Sequence, residues 1–185
     1  MKTKAIFFLT LAASLLMLGS CADMKMTKDL YDDWWPIHAS GSQETEYFSA
    51  RWDGDLNNFG NIDITFVDKN DPSITYVETK NYLALSFTKG RESFRYIDVS
   101  TRTPTASRYY KFYVKDSKIY FELPSDTGRG SGDYDEGHAI TFTDKDHVKI
   151  DNVLYERYSV YHDRNKAVKE LVPYDGRIPV VAYEE

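Results

Sequence analysis

Cysteine is almost missing from this 185-residue chain: Cys21 is its single copy. No intramolecular disulfide is available, and the fold must hold by its core alone. Histidine is scarce as well. The four residues His38, His138, His147 and His162 show no zinc-ligand spacing, and each reads as a surface or rim residue. Nucleotide-binding and hydrolase signatures are absent: no glycine-rich dinucleotide turn, no phosphate loop and no Gly-x-Ser-x-Gly elbow. Positive charge is in deficit, with 23 Lys and Arg against 29 Asp and Glu for a formal net charge of −6. That balance argues against nucleic acid or an anionic lipid surface as partner. Only one long apolar run exists, at the N-terminus, and nothing after it has the length of a membrane-spanning helix.

The N-terminal run has the build of an export signal. Lys2 and Lys4 precede an apolar core over residues 5–18, which ends in Leu18-Gly19-Ser20-Cys21. A basic start, a short apolar stretch and small residues form a cleaved signal rather than a span. The last four residues resemble the bacterial lipobox. That resemblance implies a lipoprotein: residues 1–20 are a signal peptide, and Cys21 is lipidated, with palmitate among its acyl chains, and begins the mature chain. A free reactive thiol is the other use for a lone exported cysteine. Each buried methylene contributes about 0.8 kcal/mol, so two or three chains anchor firmly. The expected location is the bacterial cell envelope, with a lipid anchor in the outer membrane, on the periplasmic or surface side, as the only membrane contact. Residues 21–29 are polar and aperiodic and read as a tether. Residues 30–185 form one domain, expected to be a monomer.

From Tyr47 onward the apolar residues alternate with period two. Phe48, Ala50 and Trp52 share a face, as do Ile62, Ile64 and Phe66; Leu83, Leu85 and Phe87 follow, and Phe94 and Tyr96 oppose Ile97 and Val99. Turn residues separate these half-buried strands. The clearest hairpin runs from Tyr109 to Leu123 about Asp116-Ser117. In it Tyr110, Phe112 and Val114 face one way and Tyr109, Lys111 and Tyr113 the other. A second hairpin joins Ile140 and Phe142 to Val148 and Ile150, and a last strand covers Val153–Tyr158. Helical character is confined to Asp163–Leu171, with Asp163 as cap and Pro173 as stop. The run 178–183 suits an edge segment. The adjacent Trp34 and Trp35 must point to opposite faces of an extended strand, one into the core and one outward or to a rim.

Eight to ten sequential strands with hairpin-length links predict an all-β fold: an antiparallel up-and-down barrel with a short C-terminal helix, a sandwich being the competitor. An eight-stranded barrel has room for packed side chains or one small ligand.

The lipobox, the opening Trp34-Trp35-Pro36-Ile37-His38-Ala39-Ser40-Gly41 and the closing runs 140–148 and Tyr155-Glu156-Arg157-Tyr158 together resemble the lipocalin-like lipoproteins of Bacteroidetes. The Gly-x-Trp signature of true lipocalins is replaced here by Asp32-Asp33 before Trp34. The resemblance implies a lipocalin-like barrel with one open mouth, closed at its floor by Trp34 or Trp35 packing under Arg157. It also implies a small hydrophobic or amphipathic ligand in the cavity, for which the bulky residues Phe66, Phe87, Tyr110, Phe112 and Phe121 are the expected lining.

Two acidic stretches invite a metal reading. The glycine-rich run Ser125–Gly137 carries Asp126, Asp133, Asp135 and Glu136, oxygen donors of the type calcium prefers. As a solvated loop at a barrel mouth it could equally gate the cavity. Asp53-Gly54-Asp55 begins like an EF-hand loop but has Asn58 and Ile64 where the motif needs Gly and Glu, and reads as an acidic turn. Glu92, Asp98, Glu122 and Glu156 lie on expected strands, where two acids could serve glycoside hydrolysis but where such residues usually face solvent. The expectation is therefore a non-catalytic binding protein with no metal and no cofactor. Its alternative is an interaction module that meets a protein or glycan through exposed aromatics such as Tyr109 and Tyr113.

Overall fold

A computed structural model describes residues 21–106, 108–125 and 130–171, with backbone only for 166–171. The signal segment 1–20 and the tail segment 178–183 lie outside the described residues. The described chain opens in a helix, α1, over residues 21–30. Thirteen strands follow: β1 Asp33–Glu44, β2 Phe48–Asp55, β3 Asn61–Asp68, β4 Thr75–Asn81, β5 Ala84–Thr88, β6 Ser93–Asp98, β7 Thr103–Pro104, β8 Tyr110–Lys115, β9 Lys118–Pro124, β10 Gly130–Tyr134, β11 His138–Phe142, β12 His147–Ile150 and β13 Val153–Arg157. Helix α2 (Tyr158–Leu171) completes the described chain.

Eight strands close into an antiparallel barrel in the order β1-β5-β6-β8-β9-β11-β12-β13, and β13 returns to β1. Around the ring the order is that of the sequence, so the barrel is up-and-down, with β7 and β10 as short excursions. Two connections are two-residue turns. Asp116 and Ser117 both take positive φ (52° and 58°) between the partners Lys115 and Lys118, the handedness that matches strand twist. Asp151, with φ 49°, turns β12 into β13.

Alternation places one residue set inside. Trp34, Leu85, Phe87, Phe94, Tyr110, Phe112, Ile119, Phe121, Ile140, Val148, Ile150 and Tyr155 form one buried cluster, with Leu30 of α1 beneath it. The rings touch: Phe94 and Phe121 are 4.5 Å apart and Phe87 and Phe112 4.9 Å. This part of the barrel is filled by its own side chains.

The strands β2, β3 and β4 are not staves of that barrel. The first half of β1 pairs with β5 and β13, whereas its second half, His38–Glu44, pairs with β2. A side sheet β1-β2-β3-β4 therefore grows out of the barrel wall. It carries its own small core of Ala50, Ile64 and Phe66, flanked by Phe48, Trp52, Ile62 and Tyr76. Gly41 is required there: a Cβ would meet the Trp52 ring at 2.4 Å.

The stretch expected as an aperiodic tether is helical instead. Met26 and Leu30, one turn apart, lie on the barrel floor, and Leu30 is fully buried; this pair is enough to dock the otherwise polar helix. The C-terminal helix starts earlier than Asp163. Tyr158 and Tyr161 lie on the outward-facing Trp35 (ring centroids 4.5 and 6.1 Å), and with Ala84, Ile97 and Val99 they form a cluster on the outside of the barrel. None of the described helices is long and apolar enough to cross a membrane.

Candidate ligand site at the far end of the barrel

The two ends of the barrel differ. At the first, Trp34 and Arg157 are direct partners across β1 and β13, and the guanidinium lies 4.6 Å from the indole ring centre. The arginine also donates to Asp32 Oδ2 (2.5 Å), to the Lys145 carbonyl (2.7 Å) and to the Asp29 carbonyl (3.1 Å). Trp34 Nε1 donates to the Leu30 carbonyl at 2.8 Å. Residues 29–34, the β11–β12 turn and the end of β13 are thereby tied into one floor, with α1 across it. Trp35, the other floor candidate, faces outward and serves α2.

Behind Trp35, Glu156 is buried on the same outer face. Its Oε2 forms an ion pair with Arg164 of α2 at 2.9 Å without the alignment of a hydrogen bond, and its Oε1 pairs with His147 at 3.2 Å; His147 also meets Asp144. This array holds α2 to the wall.

At the opposite end the inward-facing row of β11 begins with His138. Its Nδ1 is 2.6 Å from Asp151 Oδ2 and its Nε2 3.0 Å from Asp135 Oδ2, and its ring lies 5.5 Å from Phe121. Both carboxylates are fixed by the backbone. Asp135 Oδ1 accepts from Phe121 N (3.2 Å) and Gly137 N (3.0 Å), and Asp151 Oδ1 from Ala139 N (2.9 Å). Burial pulls the imidazole pKa down, but hydrogen bonding to Asp151 and the charge of Asp135 outweigh it and leave it raised.

Below this histidine lie tyrosines. Tyr155 is 8% exposed, and burial first, then the proximity of Tyr96, Tyr82 and Asp151, push its phenol far above the ordinary range. Tyr96 is raised in the same way, with Asp135 and Tyr110 beside it. The Tyr96 ring sits 5.1 Å from Phe94 and 6.4 Å from Phe121. Among the described residues no group hydrogen-bonds to the hydroxyls of Tyr96, Tyr110 or Tyr155. The far end thus combines an aromatic floor, three unengaged phenols and an acidic rim with an imidazole held between two carboxylates.

Comparison with protein-family models, with curated proteins and with solved structures finds no match to this chain. The site is therefore argued on its own geometry.

Of the five expected lining residues, Phe87, Tyr110, Phe112 and Phe121 meet inside the barrel. Phe66 does not join them; it belongs to the side-sheet core, because β3 has barrel-like alternation but a different partner. Phe87 and Phe112 are sealed in the packed layer, while Phe121 and Tyr110 border the tyrosine layer. The glycine-rich run folds back as β10 beside β9. Glu122 Oε1 accepts from Gly132 N at 3.2 Å and Oε2 from Lys111 N at 2.8 Å, and a Cβ at Gly130 would overlap that carboxyl. Asp126 lies outside the described residues. Among the described residues no group of three His, Cys, Asp or Glu side chains could hold a metal ion. Asp98 caps the turn at Ser100 and Thr101, and Asp53 and Asp55 clasp His38 at 2.7 and 3.0 Å. Asp98, Glu122 and Glu156 are thus engaged separately, and Glu92, expected on a strand, lies in the turn before β6. Cys21 lies in α1 and is exposed.

The expected Tyr109 and Tyr113 stripe is broken. Tyr113 stacks on Tyr120 at 4.6 Å and meets Tyr134 edge-on, while Tyr109 stands exposed beside the Arg95 guanidinium. Sequence reasoning missed His138, Asp135, Asp151, Tyr96 and Tyr155 as a set. The one available signal was the phase of β11, which puts His138 on the same face as Ile140.

Proposed function

We propose that this chain is a non-catalytic binding protein, a lipoprotein anchored through Cys21, that takes a small, partly apolar molecule at the far end of its barrel. The observation that carries this is the tyrosine layer. Tyr155, itself buried, presents a hydroxyl that no described residue hydrogen-bonds, beside Tyr96 and above the Phe94–Phe121 ring pair. A ligand hydroxyl, carbonyl or amine can take up this hydrogen bond, a net gain of roughly 0.5–1.5 kcal/mol. The ligand's apolar part rests on Phe121 and Tyr110, and its polar end meets the phenols and the His138 cluster. Because the barrel below is filled with rings, the occupant is small, a single ring or short chain rather than a long acyl tail. The lipocalin-like reading is in keeping with the Trp34–Arg157 contact.

Native mass spectrometry of the purified chain after incubation with a lipid and metabolite extract tests the proposal. A discrete added mass that survives desalting, and is lost on Phe121→Asp or Tyr155→Phe, is expected. A clean mass with every fraction overturns it and turns attention to the outer aromatic cluster of Tyr113, Tyr120 and Tyr134.

A further inference from the structure

Strand β4 ends the side sheet, and its register with β3 is uninterrupted from Asn61↔Asn81 to Val67↔Thr75. The ends of that ladder fix its parity. Asp68 N donates to the Ile74 carbonyl (3.0 Å) and Tyr82 N to the Gly60 carbonyl (2.8 Å). Even-numbered residues of β4 therefore turn their N–H and C=O groups toward β3, and Thr75, Val77, Thr79 and Asn81 turn theirs to the open edge. Among the described residues no strand pairs with that edge, and every residue of β4 except Tyr76 is exposed. Two of the devices that blunt an edge are missing, since the strand has no proline and no bulge, and Val77 stands 60% exposed; the charges of Glu78 and Lys80 remain.

The charge pattern along β4 selects its own complement. We infer that β4 pairs antiparallel with β4 of a second copy, about a two-fold axis through Thr79. Thr79 then opposes Thr79 and Val77 opposes Asn81, which pairs the outward backbone groups of all three. Glu78 opposes Lys80 twice, at the closely spaced positions where cross-strand charges attract. An axis through Glu78 sets Glu78 against itself, and one through Val77 leaves Glu78 opposite Tyr76 and Lys80 opposite Ile74. Only the Thr79 axis satisfies both charges. Lys80 shares a sheet face with Glu78; its ammonium lies over the Trp52 and Tyr82 rings at 4.9 and 5.5 Å, back across β3, and swings to the edge when a second copy offers Glu78. Pairing of this kind is closed, because each copy presents the same edge to the other.

Sedimentation of the full chain over a range of concentrations is the test. Wild type is expected to move toward twice its monomer mass as concentration rises. Glu78→Lys alone and Lys80→Glu alone each turn two attractions into two repulsions and weaken association about tenfold or more. An equimolar mixture of the two variants, and the double swap Glu78→Lys with Lys80→Glu, recover it. Tryptophan fluorescence checks that each variant is folded. Val77→Pro serves as a second probe, since it deletes an N–H that β3 does not use, and it too should abolish the dimer. A mass that stays monomeric at all concentrations, or a dimer indifferent to these changes, overturns the inference.

Discussion

The guanidinium of Arg157 lies 4.6 Å from the ring centre of Trp34, its direct partner across the seam that closes the barrel. The same side chain bonds Asp32 and two backbone carbonyls, so one residue links both ends of the ring of strands. Arg157→Leu is expected to cost about 2–4 kcal/mol, from the lost cation–π contact and charged hydrogen bonds. Arg157→Lys should recover less than half, because a point charge cannot span that fork. Urea unfolding reads both, and a loss within experimental error would show that the floor holds without the arginine.

The outward Trp35 makes a different prediction. Trp35→Ala should release α2 from the wall while the barrel stays closed, since its contacts are Tyr158 and Tyr161 rather than the inner cluster. Amide exchange in α2 should rise toward that of a free helix, with β8 and β9 unchanged. Uniformly faster exchange across the barrel would contradict this division.

Three imidazoles are clasped by carboxylate pairs. Hydrogen bonds to Asp55 and Asp53 raise His38. In His138 and His147 burial works the other way but is outweighed by Asp151 with Asp135, and by Asp144 with Glu156. A group raised on folding contributes stability that is complete below its unfolded value near 6.5 and disappears as pH climbs through the folded value. The unfolding temperature should therefore fall between about pH 6 and pH 8, and His138→Gln with His147→Gln should flatten that slope. On the acid side the sign reverses. Asp98 and Asp144, held low by hydrogen bonds from Ser100 and from the Asp146 backbone, contribute above 3.8 and lose that contribution as pH falls. A midpoint that rises through neutrality would refute the assignment.

Tyr155→Phe removes a hydroxyl that no described residue uses. Stability should change by less than about 0.5 kcal/mol or increase, whereas ligand capture should drop. A large destabilisation would mean that the hydroxyl is structural.

Ser117 occupies a left-handed position (φ 58°) in the β8–β9 turn. Ser117→Gly should stabilise by about 0.5–1 kcal/mol, the relief of a Cβ penalty less the entropy that glycine adds to the unfolded chain. Thermal unfolding checks the sign.

Much of this molecule is written in local pattern. Alternation sorted each strand into two faces without naming the buried one, located the turn at Asp116-Ser117, and set Trp34 and Trp35 on opposite sides. Pairing partners are not local. Ile62, Ile64 and Phe66 alternate like any barrel strand, so nothing in their order says that they line a second core. The His138 cluster was hidden for the same reason, since Asp151 stands 13 positions away and only strand pairing brings it near. The helix over residues 21–30 escaped notice because two apolar residues, Met26 and Leu30, make too short a stripe to read as periodic.

Strand β1 belongs to both the barrel and the side sheet, and this sets an order in time. Its outer half can join β2, β3 and β4 through contacts that are close in sequence. Its inner half must wait for β13, and Asp32 meets Arg157 only across 125 positions of chain. The side sheet is thus the part that local contacts assemble early, and barrel closure is the slow, long-loop step. Until then one strand stands half paired, with the indole of Trp34 uncovered, and the growing chain is at its most vulnerable to wrong partners.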